Sequence, residues 1–184
     1  MLQAHIREAV DADLQAISDL AMSSFGTSEG PEIVQLIGEL LVDVTAQPVL
    51  SLVATVHGRV VGHVLFSKVR LDLPGQQVFA ALLAPLAVHP DFQSQGIGSQ
   101  LVAAGFQQLS DAGVDLVFVL GHPGYYPRFG FSEAGIKGFE APYPIPEKNM
   151  GAWMVRELHP GGIVTARGQV ICADALADPK YWRE

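Results

Sequence analysis

The sequence predicts an α/β fold: a mixed, mainly antiparallel sheet flanked by helices, with one parallel pair of strands. Three observations carry that expectation. Residues 78–88 and 116–120 are almost wholly apolar runs, as strands buried on both faces are, and a helix-periodic segment separates them. A strand, a helix and a strand in such close succession join parallel strands through a right-handed crossover. Residues 49–71 form two β-rich runs around the tight turn His57-Gly58-Arg59, which reads as a hairpin, and residues 11–44 repeat apolar side chains at helical spacing.

Taken in order, residues 2–9 alternate loosely around Ile6 and read as the first strand. Asp11 suits an N-cap, and Leu14, Ile17, Leu20-Ala21 and Phe25 follow on one helical face. Residues 26–30 read as a polar turn. Pro31 suits the first position of a second helix, with Ile33, Leu36, Ile37, Leu40 and Val44 as its apolar face. Strand 49–56 then pairs with strand 60–71. His63 falls inside the latter, where a lone histidine is more often structural than active. Residues 72–77, with Pro74-Gly75, turn the chain into the central strand. Pro85 cannot donate to a ladder, so it belongs at a bulge or at an unpaired position.

The next helix spans roughly residues 97–112. Ile97, Leu101, Val102, Gly105, Phe106 and Leu109 lie on one side, Gln100, Gln107, Gln108 and Asp111 on the other, and Gly113 ends it. Residues 132–146 are rich in glycine and proline. Residues 152–158 read as a strand, Pro160-Gly161-Gly162 as a turn, and 163–171 as a last strand or irregular cover. Residues 174–184 read as a tail pinned by Tyr181 and Trp182. No repeat or low-complexity linker divides the chain, so a single domain is expected.

Composition narrows the function classes. The 184 residues are 49% hydrophobic and 16% charged, as in a globular domain with a real core. No run approaches the ~20 apolar residues of a membrane span, and the N-terminal residues lack a basic-then-apolar signal pattern, so the cytoplasm is the expected compartment. A single cysteine, Cys172, excludes an internal disulfide and metal binding through paired cysteines; it reads as a small buried apolar residue. The net charge of −8 argues against a nucleic-acid surface and is compatible with a cationic substrate.

The chemistry concentrates between Leu86 and Phe131. Gln93-Ser94-Gln95-Gly96-Ile97-Gly98 puts two glycines just ahead of a helix. Glycine lets the backbone turn tightly and approach a ligand, and a helix N-terminus offers unpaired N–H groups and partial positive charge, together a site for phosphate oxygens. A Walker loop requires Gly-Lys-Ser/Thr, but Ser99-Gln100 follow Gly98. A dinucleotide fingerprint requires a third glycine where Leu101 stands, and Asp115 begins its strand instead of ending one.

The run from Leu86-Ala87-Val88-His89-Pro90 through Gly98 resembles the acetyl-CoA signature of the Gcn5-related N-acetyltransferase (GNAT) family: an apolar strand, a proline, then Gln/Arg-x-x-Gly-x-Gly/Ala. Tyr126-Pro127-Arg128-Phe129-Gly130-Phe131 resembles its second signature, Tyr-x-x-x-Gly-Phe, and the wording from Gly121 onward is similar to the YhbS-type bacterial subgroup. The resemblance implies a GNAT fold whose parallel strands splay to admit the cosubstrate, with residues 1–158 as the acetyltransferase domain and 159–184 as a strand and tail of the same domain.

It further implies transfer of an acetyl group from acetyl-CoA directly to a primary amine, with no metal. Backbone groups of Leu86, Ala87 and Val88 would pair with the pantetheine arm, and the amides of Ser94, Gln95, Gly96, Ile97, Gly98 and Ser99 would cradle the pyrophosphate. Gln93 would help position a phosphate, and Arg128 would contact a CoA phosphate or stand exposed. The Val88 N–H would be the oxyanion donor, a role worth ~3 kcal/mol.

Tyr126 would be the general acid, with Tyr125 its neighbouring alternative. A phenol of pKa ~10 can protonate a thiolate whose conjugate acid lies near ~8.5, uphill by only ~2 kcal/mol. Family members often carry a basic glutamate on the central strand; Ala80-Ala81-Leu82-Leu83-Ala84-Pro85-Leu86 has none. His122, a water chain or an amine already neutral in bulk remain as routes for the amine proton. The two N-terminal helices would border the acceptor pocket, making Glu29, Glu32 and Glu39 candidate amine contacts against the alternative of a solvated helix face. The acceptor would be a small-molecule or peptide amine, and a homodimer is allowed. Transfer of another acyl group or to a hydroxyl, and a non-catalytic acyl-CoA sensor, stay open as alternatives.

Overall fold

The computed structural model describes residues 1–75 and 77–183. The sheet runs in the order β1-β2-β3-β4-β5-β8-β6, built from His5–Glu8 (β1), Leu50–Val56 (β2), Arg59–Leu71 (β3), Ala80–Val88 (β4), Leu116–Leu120 (β5), Ser132–Glu133 (β6) and Trp153–Glu157 (β8). Short strands Phe139–Glu140 (β7) and Gly168–Ile171 (β9) pair with each other in parallel, and β9 pairs antiparallel with the end of β3. The antiparallel meander β1 to β4 and the parallel pair β4–β5 match the sequence expectation; the short parallel pair β7–β9 is a second one that the sequence reading did not include.

Two-residue periodicity sorts side chains onto two core layers. On one face, Leu116 and Phe118 of β5 pack with Leu65, Leu82 and Trp153 under the first helix, Leu14–Val42 (α1), through its Ile17, Leu36, Ile37 and Leu40. On the other, Val117 and Val119 pack with Val64 and Phe66 against Ile97–Asp111 (α2), through Leu101, Val102 and Phe106. Each fully buried large apolar side chain contributes ~1.5–3 kcal/mol of transfer free energy. α2 lies close to the sheet because Gly105 faces Phe66; a Cβ there would stand 2.4 Å from the ring.

Several boundaries differ from the sequence reading, each for a local reason. The expected polar turn at 26–30 is one residue, Gly26, at φ 77° and ψ −178°, and helix continues on either side of it. Pro31 therefore lies inside α1, not at a helix start. Asp11 does not cap. Asp13 occupies the N-cap position, and its carboxylate accepts the Val10 N–H at 2.8 Å and two bonds from Arg7 at 2.7 and 2.9 Å. Those bonds, the pair from Arg7 foremost, hold the Asp13 carboxyl down at about 2.

Val44 is exposed, because α1 ends at Val42 where Asp43 caps the following short turn. Residues 163–171 divide into a short helix, Gly162–Thr165 (α3), and β9. Cys172 is only half-buried, and burial raises its thiol to about 11. Gln76 of the expected 72–77 turn, and Glu184 of the expected tail, lie outside the described residues. No helix among the described residues is long and apolar enough to cross a membrane.

The tail is part of the core. Trp182 is buried, packs edge-on against Trp153 at 5.8 Å, and donates its indole N–H to the Leu176 carbonyl at 3.0 Å. Pro85 sits at a bulge: Val64 pairs with Leu86 and Phe66 with Leu83, so β4 carries one residue more than β3 between those pairs.

His63 is 1% exposed, with its Nε2 bonded to the Ser51 hydroxyl at 2.9 Å and its Nδ1 without a protein partner. Burial lowers its pKa from 6.5 to about 4. The unfolded chain therefore takes up a proton below pH 6.5 that the native chain refuses until about 4, and stability falls as pH drops through that window. Urea unfolding at pH 7 and pH 5 should show the wild type losing ~2 kcal/mol more than a His63→Gln variant. Equal losses would mean that His63 does not resist protonation.

Candidate active site

The β4–β5 ladder stops early. Its register covers Ala80↔Leu116, Ala81↔Val117 and Leu82↔Phe118 only. Beyond Leu82, β4 stays paired with β3 on one edge; beyond Phe118, β5 stays paired with β8 on its far edge. A cleft of about 1230 Å³ opens between them, lined by Leu86 and Val88 on one side and Leu120, Gly121 and Tyr126 on the other.

Strand alternation decides which backbone groups face the gap. The His89 N–H donates to the Val61 carbonyl on β3 at 2.8 Å. Amides alternate along a strand, so those of Ala87 face β3, and those of Leu86 and Val88 face the opposite edge. Ala87 is buried and outside the cleft wall. The Val88 carbonyl accepts from the Ser24 hydroxyl and the Gln93 amide, each at 3.0 Å. Gln93 thereby ties its loop to β4, while the Val88 N–H points into the gap.

The loop itself is shaped by left-handed residues. Ser94 has φ 60°, and Gly96, the N-cap of α2, has φ 88°. Ser94, Gly96, Ile97, Gly98 and Ser99 line the cleft. Gln95 does not: its side chain donates to the Asp91 carbonyl at 3.1 Å, and its own carbonyl accepts from Leu2. α2 thus presents its N-terminus, with unpaired N–H groups, to one end of the cleft.

The 3₁₀ turn Tyr126–Phe129 brings the aromatic residues over this loop. The Tyr126 ring lies against Gly121, where a Cβ would stand 2.4 Å from the ring, and packs edge-on with Phe131 at 5.8 Å. Tyr125, one residue earlier, reaches the loop instead. Its hydroxyl fills the space that a Cβ on Gly98 would occupy, 2.5 Å away, a contact the sequence did not disclose. Burial raises the Tyr125 phenol, opposed by the Arg128 charge. Arg128 stacks 4.5 Å from the Tyr125 ring centre and donates to its carbonyl at 2.9 Å, so it lines the cleft in a fixed pose.

His122 also lines the cleft, in the turn after β5. Its Nδ1 accepts the Gly124 N–H at 3.0 Å, so the neutral ring carries its proton on Nε2. No lone pair is then left to take a proton from an amine.

The remaining wall is largely apolar, with Phe25, Ile33, Leu36, Leu176 and Tyr181, and also carries Lys148 and Asn149. None of the three candidate glutamates lines it. Glu29 is exposed, Glu32 pairs with Lys180 at 3.0 Å, and Glu39 accepts from Gln35 at 2.7 Å. Leu176 and Tyr181 come from the tail, whose part in the wall only the tertiary structure reveals. No metal-holding group of histidines, cysteines and carboxylates occurs among the described residues.

Residues 5–134 match the acetyltransferase (GNAT) domain family. The chain is 40% identical over 171 residues to the uncharacterized N-acetyltransferase YjhQ of Escherichia coli, covering 92% of this chain and 91% of that protein. It is 35% identical over 143 residues to the uncharacterized N-acetyltransferase YhbS of Escherichia coli, 77% of this chain and 81% of that one. The crystal structure of YhbS in complex with CoA superposes with a TM-score of 0.84 at 31% identity, over 97% of this chain and 94% of that chain. A GNAT family acetyltransferase from Brucella melitensis, in complex with acetyl-CoA, gives 0.73 at 28%, over 95% and 98%.

Gly98→Ala should push the Tyr125 hydroxyl off the loop and weaken acetyl-CoA binding by ~10-fold or more in calorimetry, with little change in Tm. Unchanged affinity would show that the close approach of Tyr125 to the loop plays no part in binding.

Proposed function

The chain belongs to the GNAT acetyltransferase family and is a CoA-dependent acyltransferase, and on that premise we propose that it moves the acetyl group of acetyl-CoA directly onto a primary amine. The observation that carries this reading is the early end of the β4–β5 ladder, which leaves the Val88 N–H facing a gap whose other wall holds Tyr126.

In this reading the backbone of Leu86 and Val88 aligns the pantetheine arm as a strand would. The loop amides of Ser94, Gly96, Ile97, Gly98 and Ser99 and the Arg128 guanidinium receive the phosphates. The amine lone pair attacks the thioester carbon, and a C–N bond forms. The oxygen gathers negative charge, which the Val88 N–H stabilises. The C–S bond then breaks, Tyr126 gives its proton to the leaving thiolate, and the amine nitrogen loses one proton to solvent. That proton replaces the one Tyr126 gave, so the products are the N-acetylated amine and CoA thiol. Direct transfer is supported by Cys172, which lies outside the cleft wall and holds its proton strongly. His122 acts in this scheme by fixing its turn through Gly124.

We place residues 159–184 in the same domain as residues 1–158; the pairing of β9 with β3 and the burial of Trp182 support this. The cytoplasm is the compartment this reading favours.

Tyr126→Phe should cut thiol release ~10²-fold or more while leaving acetyl-CoA affinity nearly unchanged. Unaltered turnover would remove Tyr126 from the acid role. His122→Ala should cost less than ~10-fold; a larger loss that tracks an ionisation near neutral pH would restore His122 as the base.

A further inference from the structure

The acyl-transfer reading leaves the acceptor open, and the cleft wall constrains it. Among the described residues that line the cleft there is no aspartate and no glutamate. This holds in a chain whose net charge is −8. The charged side chains on the wall are Arg128, stacked on Tyr125, and Lys148, which is exposed. The rest of the wall is largely apolar, with Phe25, Ile33, Leu36, Leu120 and Leu176 beside Tyr181 and Asn149.

The nearest acidic residues stand behind the wall and not on it: the Glu32 charge is met by Lys180, Glu39 accepts from Gln35, and both reach the cleft only through Tyr181, whose phenol burial raises and these two charges raise further. β4 contributes no carboxylate, and the His122 lone pair is taken by Gly124.

We propose that the acceptor is a hydrophobic monoamine, a primary amine on an apolar body with no second positive charge, and that it binds as the free base. This rests on the acyl-transfer reading above. An ammonium group moved against a largely apolar wall with no carboxylate loses hydration and gains no opposite charge, and the aromatic faces of the wall offset only part of that loss. Desolvation therefore favours the neutral amine, which is also the form that can attack the thioester. The ammonium proton stays in bulk water, so the missing base on β4 removes nothing the reaction requires. A polyamine or lysine-rich peptide would set its further charges against apolar side chains or against Lys148, a like charge. The acidic outer surface draws cations toward the protein, but the cleft wall does not hold them.

Thiol release from acetyl-CoA should be followed with phenethylamine, spermidine and a lysine-rich peptide. Phenethylamine should show a kcat/KM at least ~10-fold above the other two. With phenethylamine, kcat/KM should rise about tenfold per pH unit up to the ammonium pKa of the acceptor itself. With a fluorinated alkylamine of lower pKa, the break should move down by the same amount. Lys148 is exposed, so Lys148→Glu should keep the wild-type Tm and raise spermidine relative to phenethylamine by ~10-fold.

Preference for spermidine or the peptide, or a pH break that stays in place when the acceptor is changed, overturns the monoamine inference and leaves the acyl-transfer reading intact. Acetyl-CoA binding in calorimetry without thiol release to any of the amines overturns the amine-acceptor reading, and this inference with it.

Discussion

The structure depends on one broken ladder. β4 and β5 begin as parallel neighbours and part after Leu82 and Phe118, leaving one edge of β4 unpaired inside the protein. Buried backbone groups need partners, so such an edge is costly unless something fills it. The Val88 carbonyl is met by Ser24 from α1 and by Gln93 from the loop. Its amide is left for the thioester in the proposed mechanism. The gap persists because each strand is anchored on its other side, β4 by β3 and β5 by β8.

The two core layers hold that separation in place. Phe118 stacks on Trp153 at 5.2 Å and meets Phe139 edge-on at the same distance, which fixes β5 to β8 just where the gap opens. On the α2 side, Phe106, Phe131 and Tyr126 form a connected aromatic group, and Arg156 lies over Phe106 while bonding the Phe129 carbonyl. Aromatic pairs of this kind are worth ~0.5–1.5 kcal/mol beyond their burial. The packing that stabilises the sheet therefore also sets where Tyr126 stands.

Charge and burial are divided between surface and cleft. Asp19, Glu29, Glu32 and Glu39 of α1 are exposed and none lines the cleft, while Phe25, Ile33 and Leu36, on either side of the kink at Gly26, do. The tail adds Leu176 and Tyr181 and is held by Trp182 in the core and by Asp43, whose carboxylate accepts the Ala175 N–H at 2.9 Å. In the proposed reading the acceptor therefore meets residues from the two ends of the chain, and the cosubstrate meets residues from its middle.

The sequence by itself determined the elements whose signals are local. The apolar runs of β4 and β5, the periodic face of α2, the glycines before that helix and the proline at the bulge follow from periodicity and backbone freedom over a few residues. The family signatures are contiguous for the same reason. Only the tertiary structure decided what depends on distant residues meeting. It engaged the His122 lone pair, set Tyr125 against Gly98, buried Trp182 beside Trp153, and left Glu29, Glu32 and Glu39 off the cleft wall. It also placed a single-residue kink where a polar turn was expected, because one left-handed glycine suffices to redirect a helix. Which side of a helix faces a cleft, and which partner takes a lone pair, are set by packing between segments far apart in the chain, and no local pattern encodes that.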